Sequence, residues 1–494
     1  MLQTLLDKSC AKFPDHAALR FTGHSYSYHQ LNTLVNHLAS AFIRLEIKPG
    51  DKIAVLLPNY PEAIISFMAS FKVGATVVML NPLLNHQEII RILKESTPSL
   101  VISDTSLIFS ELSENYPCYL TNADNLQNMN CHAFSSLLQP NETPVTFPDF
   151  PESSIATLAY TSGSTSNPKG VMHTYAQLYQ FLVSHAELFD YTEHDCILIS
   201  TPVAFGYCFS NQILPSLYAG AMITLVLTND LASAIHAILH ENVTLAYIAL
   251  TKIIPWMDLL ASRQPFTHHL RAIITAGDAM PAPFHERIKR LLGVNVYEGI
   301  GTTETWFYAN NTVRNHKPGS MGKICSNMQV NILDDHHQPL PAGVSGEIAV
   351  KGYSVFSGYF NRPELAPIHD GWYHTGDIGY IDEDGYIWFV GRKGQLIYRN
   401  GMMIRPHEIE SAIYAHSSVL ETGVVGELYA SNRTKVIAYI ALKHACTVTD
   451  LGEIQTHLLK NLSPEKMPDE IVILEKLPKG VSGKIDRRVL TNLL

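Results

Sequence analysis

The 494-residue chain has seven cysteines, at 10, 118, 131, 196, 208, 325 and 446, an odd number with no CxxC spacing. That scatter excludes a disulfide framework and the common zinc modules, and points to reduced thiols. Charge is sparse as well: 16% of residues are charged, and the net charge is −10 without a basic run. Nucleic acid is therefore a poor partner. A phosphate ligand is still open, because backbone N–H groups and one or two lysines suffice to hold one. Long hydrophobic runs are missing too. The best stretch, residues 213–227, carries Pro215 and Gly220, whereas a membrane span takes about 20 apolar residues. At the start, MLQTLLDKSCAKFPDH has Asp7 and Lys8 inside its apolar stretch, so a secretory leader is not expected and a cytoplasmic location is.

What is present is a chain with 46% hydrophobic residues, long enough for two to four compact units. Leu31, Leu34, Val35, Leu38 and Phe42 recur at a helical period, and KIAVLLPN (52–59) follows as a buried strand. Helix over 62–74, strand over 75–82, helix over 88–96 and strand over 99–104 continue the alternation, which returns in DCILIST, MITLVLT, LAYIAL and RAIITAG. Continuous apolar strands between helices predict an α/β architecture with parallel sheets covered on both faces. Near residue 318 the texture changes to short strands divided by Gly, Pro and Asp, which predicts a small barrel-like unit. A separate C-terminal segment is expected from about residue 391, with two helices, two strands and a basic, Gly-punctuated tail.

Four segments carry candidate chemistry. In Tyr160–Val171 (YTSGSTSNPKGV), an apolar strand, a loop of small hydroxylated residues and a following helical pattern would offer N–H groups and hydroxyls to phosphate oxygens, with Lys169 adding charge. It is not a P-loop signature, since Pro168 and Gly170 occupy the wrong positions. YEGIGTTET (297–305) sets hydroxyls beside one carboxylate, Glu304, which suits a Mg²⁺–phosphate assembly. In WYHTGDI (372–378), Asp377 is placed to accept hydrogen bonds from sugar hydroxyls, and Arg392 is a fixed cation where the texture changes. PKGVSGKIDRRVL (478–490) holds Lys484 in a Gly-bounded loop.

Together, in this order and spacing, the four segments resemble the adenylate-forming superfamily: acyl-CoA synthetases, aryl-CoA ligases, luciferase and peptide-synthetase adenylation domains. The resemblance covers nearly the whole chain. GIGTTE, TAGDAM and AFGYCFSN (204–211) look most like the benzoate-type aryl-CoA ligases. It implies an N-terminal domain, 1–391, of two flavodoxin-like sheets plus a small β-barrel, and a small mobile α+β domain, 392–494. It implies ATP-dependent conversion of a carboxylic acid to an acyl-adenylate, then transfer to the thiol of CoA or, alternatively, to the phosphopantetheine of an acyl-carrier protein. A non-catalytic descendant would be marked by loss of Lys169, Glu304 or Lys484, and all three are present.

Residue by residue, the resemblance implies that Thr161, Ser162, Gly163, Ser164, Thr165 and Lys169 hold the β- and γ-phosphates. Thr303 would contact the α-phosphate, Glu304 would hold Mg²⁺, and Asp377 would grip the ribose with Arg392 nearby. Gly277, Asp278 and Ala279, with Glu298, Gly299 and Ile300, would frame the adenine. Lys484 would reach the α-phosphate and the carboxylate. Phe205, Tyr207, Gly301, Trp306 and Phe307 are candidates for the acyl pocket. Ile300 stands where the family commonly has an aromatic residue, Gly394 where the hinge usually has Asp or Lys, and Asn400 where a Gly is common near the thiol tunnel. No acid lies between Thr201 and Thr228. An ammonium there would be costly to bury, so an amino-acid substrate is not expected.

Overall fold

The structure is a computed structural model. It describes residues 1–493 except 123–129, 141–144, 162–167, 277–279, 400–401, 430–432, 444–447 and 481–482. Its largest sheet has nine strands, in the order Lys323–Ile324, Trp306–Asn310, Val296–Thr302, Ala272–Ala276, Leu245–Tyr247, Cys196–Ile199, Met222–Leu225, Ala17–Phe21 and His24–Ser27. A second sheet has seven, in the order Cys131–Ala133, Cys118–Thr121, Leu100–Asp104, Lys52–Leu56, Thr76–Met79, Ile155–Thr161 and Lys169–Thr174. The central pairings of both are parallel. Strands such as Thr76–Met79 and Cys196–Ile199 are buried along their whole length, the consequence of helices on both faces.

Helix Pro61–Lys72 is buried almost all round between the two sheets, and one continuous core carries residues from both. Capping boxes start several helices: Ser27 with Gln30, Asn85 with Glu88, and Thr174 with Gln177. The five-stranded sheet built from Met328–Leu333, Gly346–Gly352, Trp372–Ile381, Ile368–His369 and Ile387–Arg392 is the barrel-like unit expected from the Gly/Pro texture. Beyond it, Val419–Tyr429, Arg433–Leu442 and Glu470–Ile473 form a three-stranded sheet against helix Pro406–Tyr414. The six cysteines among the described residues are all free, and no helix among those residues is long and apolar enough to cross a membrane.

One local expectation needs correction. The helix following the Thr161–Lys169 segment does not open at its end. Lys169–Thr174 is first a strand, antiparallel to Ile155–Thr161 with Thr161 opposite Lys169, and the helix begins only at Tyr175. Val171 and His173 are buried on this strand, so the alternating pattern of KGVMHT, hidden inside a longer apolar stretch, specifies a hairpin.

The C-terminal unit rests on the nine-stranded sheet's helices. Phe284 packs edge-on against Tyr414 at 5.2 Å, and Lys443 Nζ lies 3.2 Å from Asp258 on helix Leu250–Ala261.

Candidate active site

Three segments distant in sequence are stitched together around Glu304. The backbone of 356–360 runs beside the Lys169 strand, with Met172 N donating to Gly358 O at 3.1 Å and Phe360 N to Gly170 O at 2.8 Å. Phe356 N donates to Glu304 O at 2.7 Å, tying the same run to the turn 302–305. The Tyr359 hydroxyl then donates to Glu304 Oε1 at 2.8 Å, while Lys169 Nζ sits 4.4 Å above the Tyr359 ring. Burial and the Glu304 charge push the Tyr359 phenol well up, so it stays a donor. Glu304 Oε2 carries no hydrogen bond among the described residues. A single carboxylate with one oxygen fixed and one available fits Mg²⁺, which takes few protein ligands and shares phosphate oxygens. Accordingly, no group of three or more His, Cys, Asp or Glu among the described residues forms a closed metal cage.

Thr303 is positioned from the other side. His173, buried on the hairpin strand, has Nε2 2.8 Å from Thr303 O. Burial pushes its imidazole down to about 4, so it is neutral and serves as a fixed strut.

Asp377 lies on strand Trp372–Ile381 directly opposite Arg392. Arg392 Nε is 2.9 Å from Asp377 Oδ1, yet the angle is poor and Oδ1 makes no hydrogen bond. The carboxyl is buried, which raises its pKa, against the pull of Arg392 and of Lys484. Tyr308, with its buried hydroxyl unpartnered, is near enough for the Asp377 charge to act on it. Lys484 comes from the C-terminal unit on a tight turn, where Gly480 N donates to Lys484 O at 2.9 Å. Thus Lys169, Thr303 and Glu304 are gathered through Tyr359 and His173, Asp377 is paired with Arg392, and the charges of Glu304 and Lys484 act on Asp377.

Residues 6–360 match the model of the AMP-binding enzyme family, and residues 408–484 match that of the AMP-binding enzyme C-terminal domain. The chain belongs to the AMP-binding enzyme family. A long-chain-fatty-acid–CoA ligase of Bacillus subtilis is 30% identical, with 99% of this chain and 94% of that protein covered. A 2-succinylbenzoate–CoA ligase of Bacillus cytotoxicus is 29% identical over 97% of this chain and 96% of its own. Among solved structures, o-succinylbenzoate coenzyme A synthetase from Bacillus subtilis in complex with ATP and magnesium ion superposes with a TM-score of 0.84. It is 26% identical, covering 98% of each chain.

Other sequence-predicted residues of this AMP-binding enzyme fall less uniformly. Ser162, Gly163, Ser164, Thr165, Gly277, Asp278, Ala279 and Asn400 lie outside the described residues. Thr161 closes the hairpin base opposite Lys169. The Glu298 carboxylate is committed to bracing, accepting from Met280 N at 2.7 Å and Gly319 N at 3.3 Å and lying 2.9 Å from His285 Nε2. Its carbonyl accepts from Asn311 N at 2.8 Å, so the residue is tied down through side chain and backbone alike. Ile300 packs into the barrel core with Tyr308 and Met321. Gly299 and Gly301 are required sterically: a Cβ would fall 2.0 Å from Asn310 Oδ1 at the first and 1.9 Å from Trp306 O at the second.

The acyl-pocket candidates diverge. Phe205 borders a small cavity with Thr161, Pro168, Tyr160 and Asn81, beside the Ile155–Thr161 strand. Tyr207 instead packs its ring 5.7 Å from Phe307 and 5.9 Å from Tyr247, with its hydroxyl buried and unpartnered. Trp306, at φ +50°, is stacked on His173 at 3.8 Å and tilted on Phe181 at 4.8 Å. His173, Tyr359 and Tyr308 are the contributors that sequence reading missed, because a buried aromatic reads as core until its neighbours are known.

Proposed function

We propose that this AMP-binding enzyme is an acid–thiol ligase that works in two steps from one site. In the first, a carboxylate oxygen attacks the α-phosphorus of ATP, the bond to the bridging oxygen breaks and pyrophosphate leaves. In the second, the thiol of CoA attacks the acyl carbon and AMP leaves. A carboxylate is already a nucleophile, so the first step calls for positioning and charge stabilisation rather than a general base. CoA ligase relatives spanning nearly the whole chain support this reading, and no feature favours a carrier protein over CoA.

The roles follow from the charges. Lys169, held over Tyr359, would meet the outer phosphates together with Thr161. Thr303 would donate to the α-phosphate, and Asp377 would accept from the ribose hydroxyls. Glu304, oriented by Tyr359, would hold Mg²⁺, which supplies positive charge to phosphate oxygens when bound. Lys484 would neutralise charge gathering on the α-phosphate. The chain divides as 1–391 and 392–494, with Gly394 in a tight turn after Arg392 (Gln395 N donates to Arg392 O at 2.8 Å). Nothing lies within 4 Å of where a Gly394 side chain would begin, and glycine tolerates the backbone changes a hinge requires. Rotation there would exchange Lys484 for the thiol between steps. A cytoplasmic location fits the free thiols.

The observation that carries the proposal is the Glu304 carboxylate held at 2.8 Å by the Tyr359 hydroxyl, with Lys169 Nζ 4.4 Å above the same ring and the Thr303 carbonyl 2.8 Å from His173. Acid-dependent release of pyrophosphate from ATP, followed by CoA-dependent release of AMP, tests it. A protein that splits ATP without any acid, or binds ATP and never releases pyrophosphate, contradicts it.

A further inference from the structure

Lys393, the residue before Gly394, is tied to the barrel-like unit twice. Its N–H donates to Gly376 O at 2.9 Å, and its Nζ lies 3.5 Å from Glu347 Oε2. Glu347 belongs to strand Gly346–Gly352 and stands opposite Ile378, on the strand that carries Asp377. Its other oxygen accepts from Gly376 N at 3.3 Å. One carboxylate therefore grips both the turn that presents Asp377 and the backbone that leaves Arg392. The Glu347 side chain is 12% exposed against 56% for Lys393, so the anion is the fixed member of the pair. Past Lys393 the next backbone hydrogen bond is local to the turn, from Gln395 N to Arg392 O.

The same Oε2 has a second claimant, His374 Nδ1 at 3.6 Å. His374 is buried, and its ring meets two exposed histidines edge-on, His337 at 4.8 Å and His369 at 5.1 Å. The other charges on the elements around this cluster are already engaged. Asp335 lies 3.8 Å from Lys393 Nζ, and Asp334 accepts from His336 N and Gln338 N. Lys351 reaches the Asp370 carbonyl at 3.5 Å, and Arg392 is paired with Asp377. Burial holds the His374 pKa below the usual histidine value against the pull of Glu347, with His337 and His369 adding to the depression. At neutral pH the imidazole is thus uncharged and Lys393 has the anion. On acidification an imidazolium shares Oε2 and repels the ammonium beside it.

We propose that Glu347 is a positioning residue that anchors the chain as far as Lys393, confines the swing of the C-terminal unit to Gly394 and beyond, and gives up Lys393 when His374 is protonated. The inference rests on the two-step ligase reading and names the regulation of the hinge which that reading requires.

Hydrogen–deuterium exchange of the full chain, read at single amides by fragmentation mass spectrometry and corrected for the intrinsic effect of pH, tests it without turnover. Wild type, Glu347→Gln, Lys393→Met and His374→Gln are compared at pH 7.5 and 5.5. A partly exposed ion pair is worth up to about fivefold in an opening equilibrium. In the wild type the Lys393 amide loses at least twofold in protection on acidification. Glu347→Gln and Lys393→Met show at least that loss already at pH 7.5 and no further change at pH 5.5. His374→Gln keeps the protection of the wild type at pH 7.5 under both conditions. The Ile348 and Val350 amides of the same sheet stay within twofold throughout. A wild-type change below twofold overturns the proposal, as does a Glu347→Gln effect below twofold or a pH dependence that survives His374→Gln. Equal loss at Lys393, Ile348 and Val350 with a lowered melting temperature overturns it too, being the mark of a merely structural carboxylate. Absence of acid-dependent pyrophosphate release in the wild type bears on the ligase reading alone.

Discussion

Asp377 and Arg392 face each other across antiparallel strands, 2.9 Å apart, as an ion pair whose Oδ1 makes no hydrogen bond. The guanidinium balances the charge while leaving the acceptor capacity of that oxygen for a ligand. Burial raises the Asp377 pKa above its unfolded value, so ionising this carboxyl costs folding stability at neutral pH, and protonation on acidification removes the cost. Asp377→Asn is therefore expected to leave the melting temperature at pH 7 unlowered. It should weaken ATP binding by about 1.5–3 kcal/mol, the usual worth of a hydrogen bond to a charged group, or roughly tenfold to a hundredfold. Isothermal titration with ATP and a melting curve check both halves.

Two buried histidines set an acid limit on stability. His173 is pushed down to about 4 and His185 to about 3, both by burial. Unfolded, each takes up a proton near pH 6.5. Between about pH 6.5 and about 4 the unfolded chain thus binds more protons, and stability falls as pH falls. The expected slope is about 1.4 kcal/mol per pH unit for each histidine. His185→Gln should flatten the loss of melting temperature between pH 6.5 and 4, and an unchanged slope would contradict this account of His185.

Trp306 fills space beside the turn that carries Thr303. Its ring lies on His173, which is itself tied to Thr303. Trp306→Ala is expected to admit longer or bulkier acids in a pyrophosphate-release screen, while the cavity costs about 3–5 kcal/mol of stability. An unchanged acid spectrum with the same loss of stability would reduce Trp306 to core.

Lys484→Ala should slow acyl-adenylate formation at least a hundredfold, the scale of one lost electrostatic contact to a transition state. Thioester formation from supplied acyl-adenylate and CoA should stay within a few fold. Single-turnover measurements of each step separate them.

Much of this was legible in the chain itself. Buried strands such as 53–56 and 100–102 are continuous apolar runs, and the shift to a barrel-like texture near residue 318 is written in glycine and proline. Lys169 in its Gly-, Ser- and Thr-rich segment, the turn carrying Glu304, and Asp377 with Arg392 stand out through local motifs. Non-local partners do not. Nothing near Tyr359 in sequence says that its hydroxyl will meet Glu304, 55 positions away, or that His173 will hold Thr303 from 130 positions away. Glu298 sits in a segment that the family resemblance assigns to adenine, yet its side chain is spent on Met280 and Gly319. The hairpin at Lys169–Thr174 was masked because its alternation is embedded in apolar sequence that a helix would also use.

Exchange of labelled pyrophosphate into ATP is the most direct test of the central claim, that one bound ATP is attacked at its α-phosphorus by an organic acid. With Mg²⁺ and a panel of aliphatic, aryl and dicarboxylic acids, label should enter ATP only when a suitable acid is present, and Lys484→Ala should lose that exchange. Label that enters without acid, or that never enters with any acid in the panel, would contradict the account.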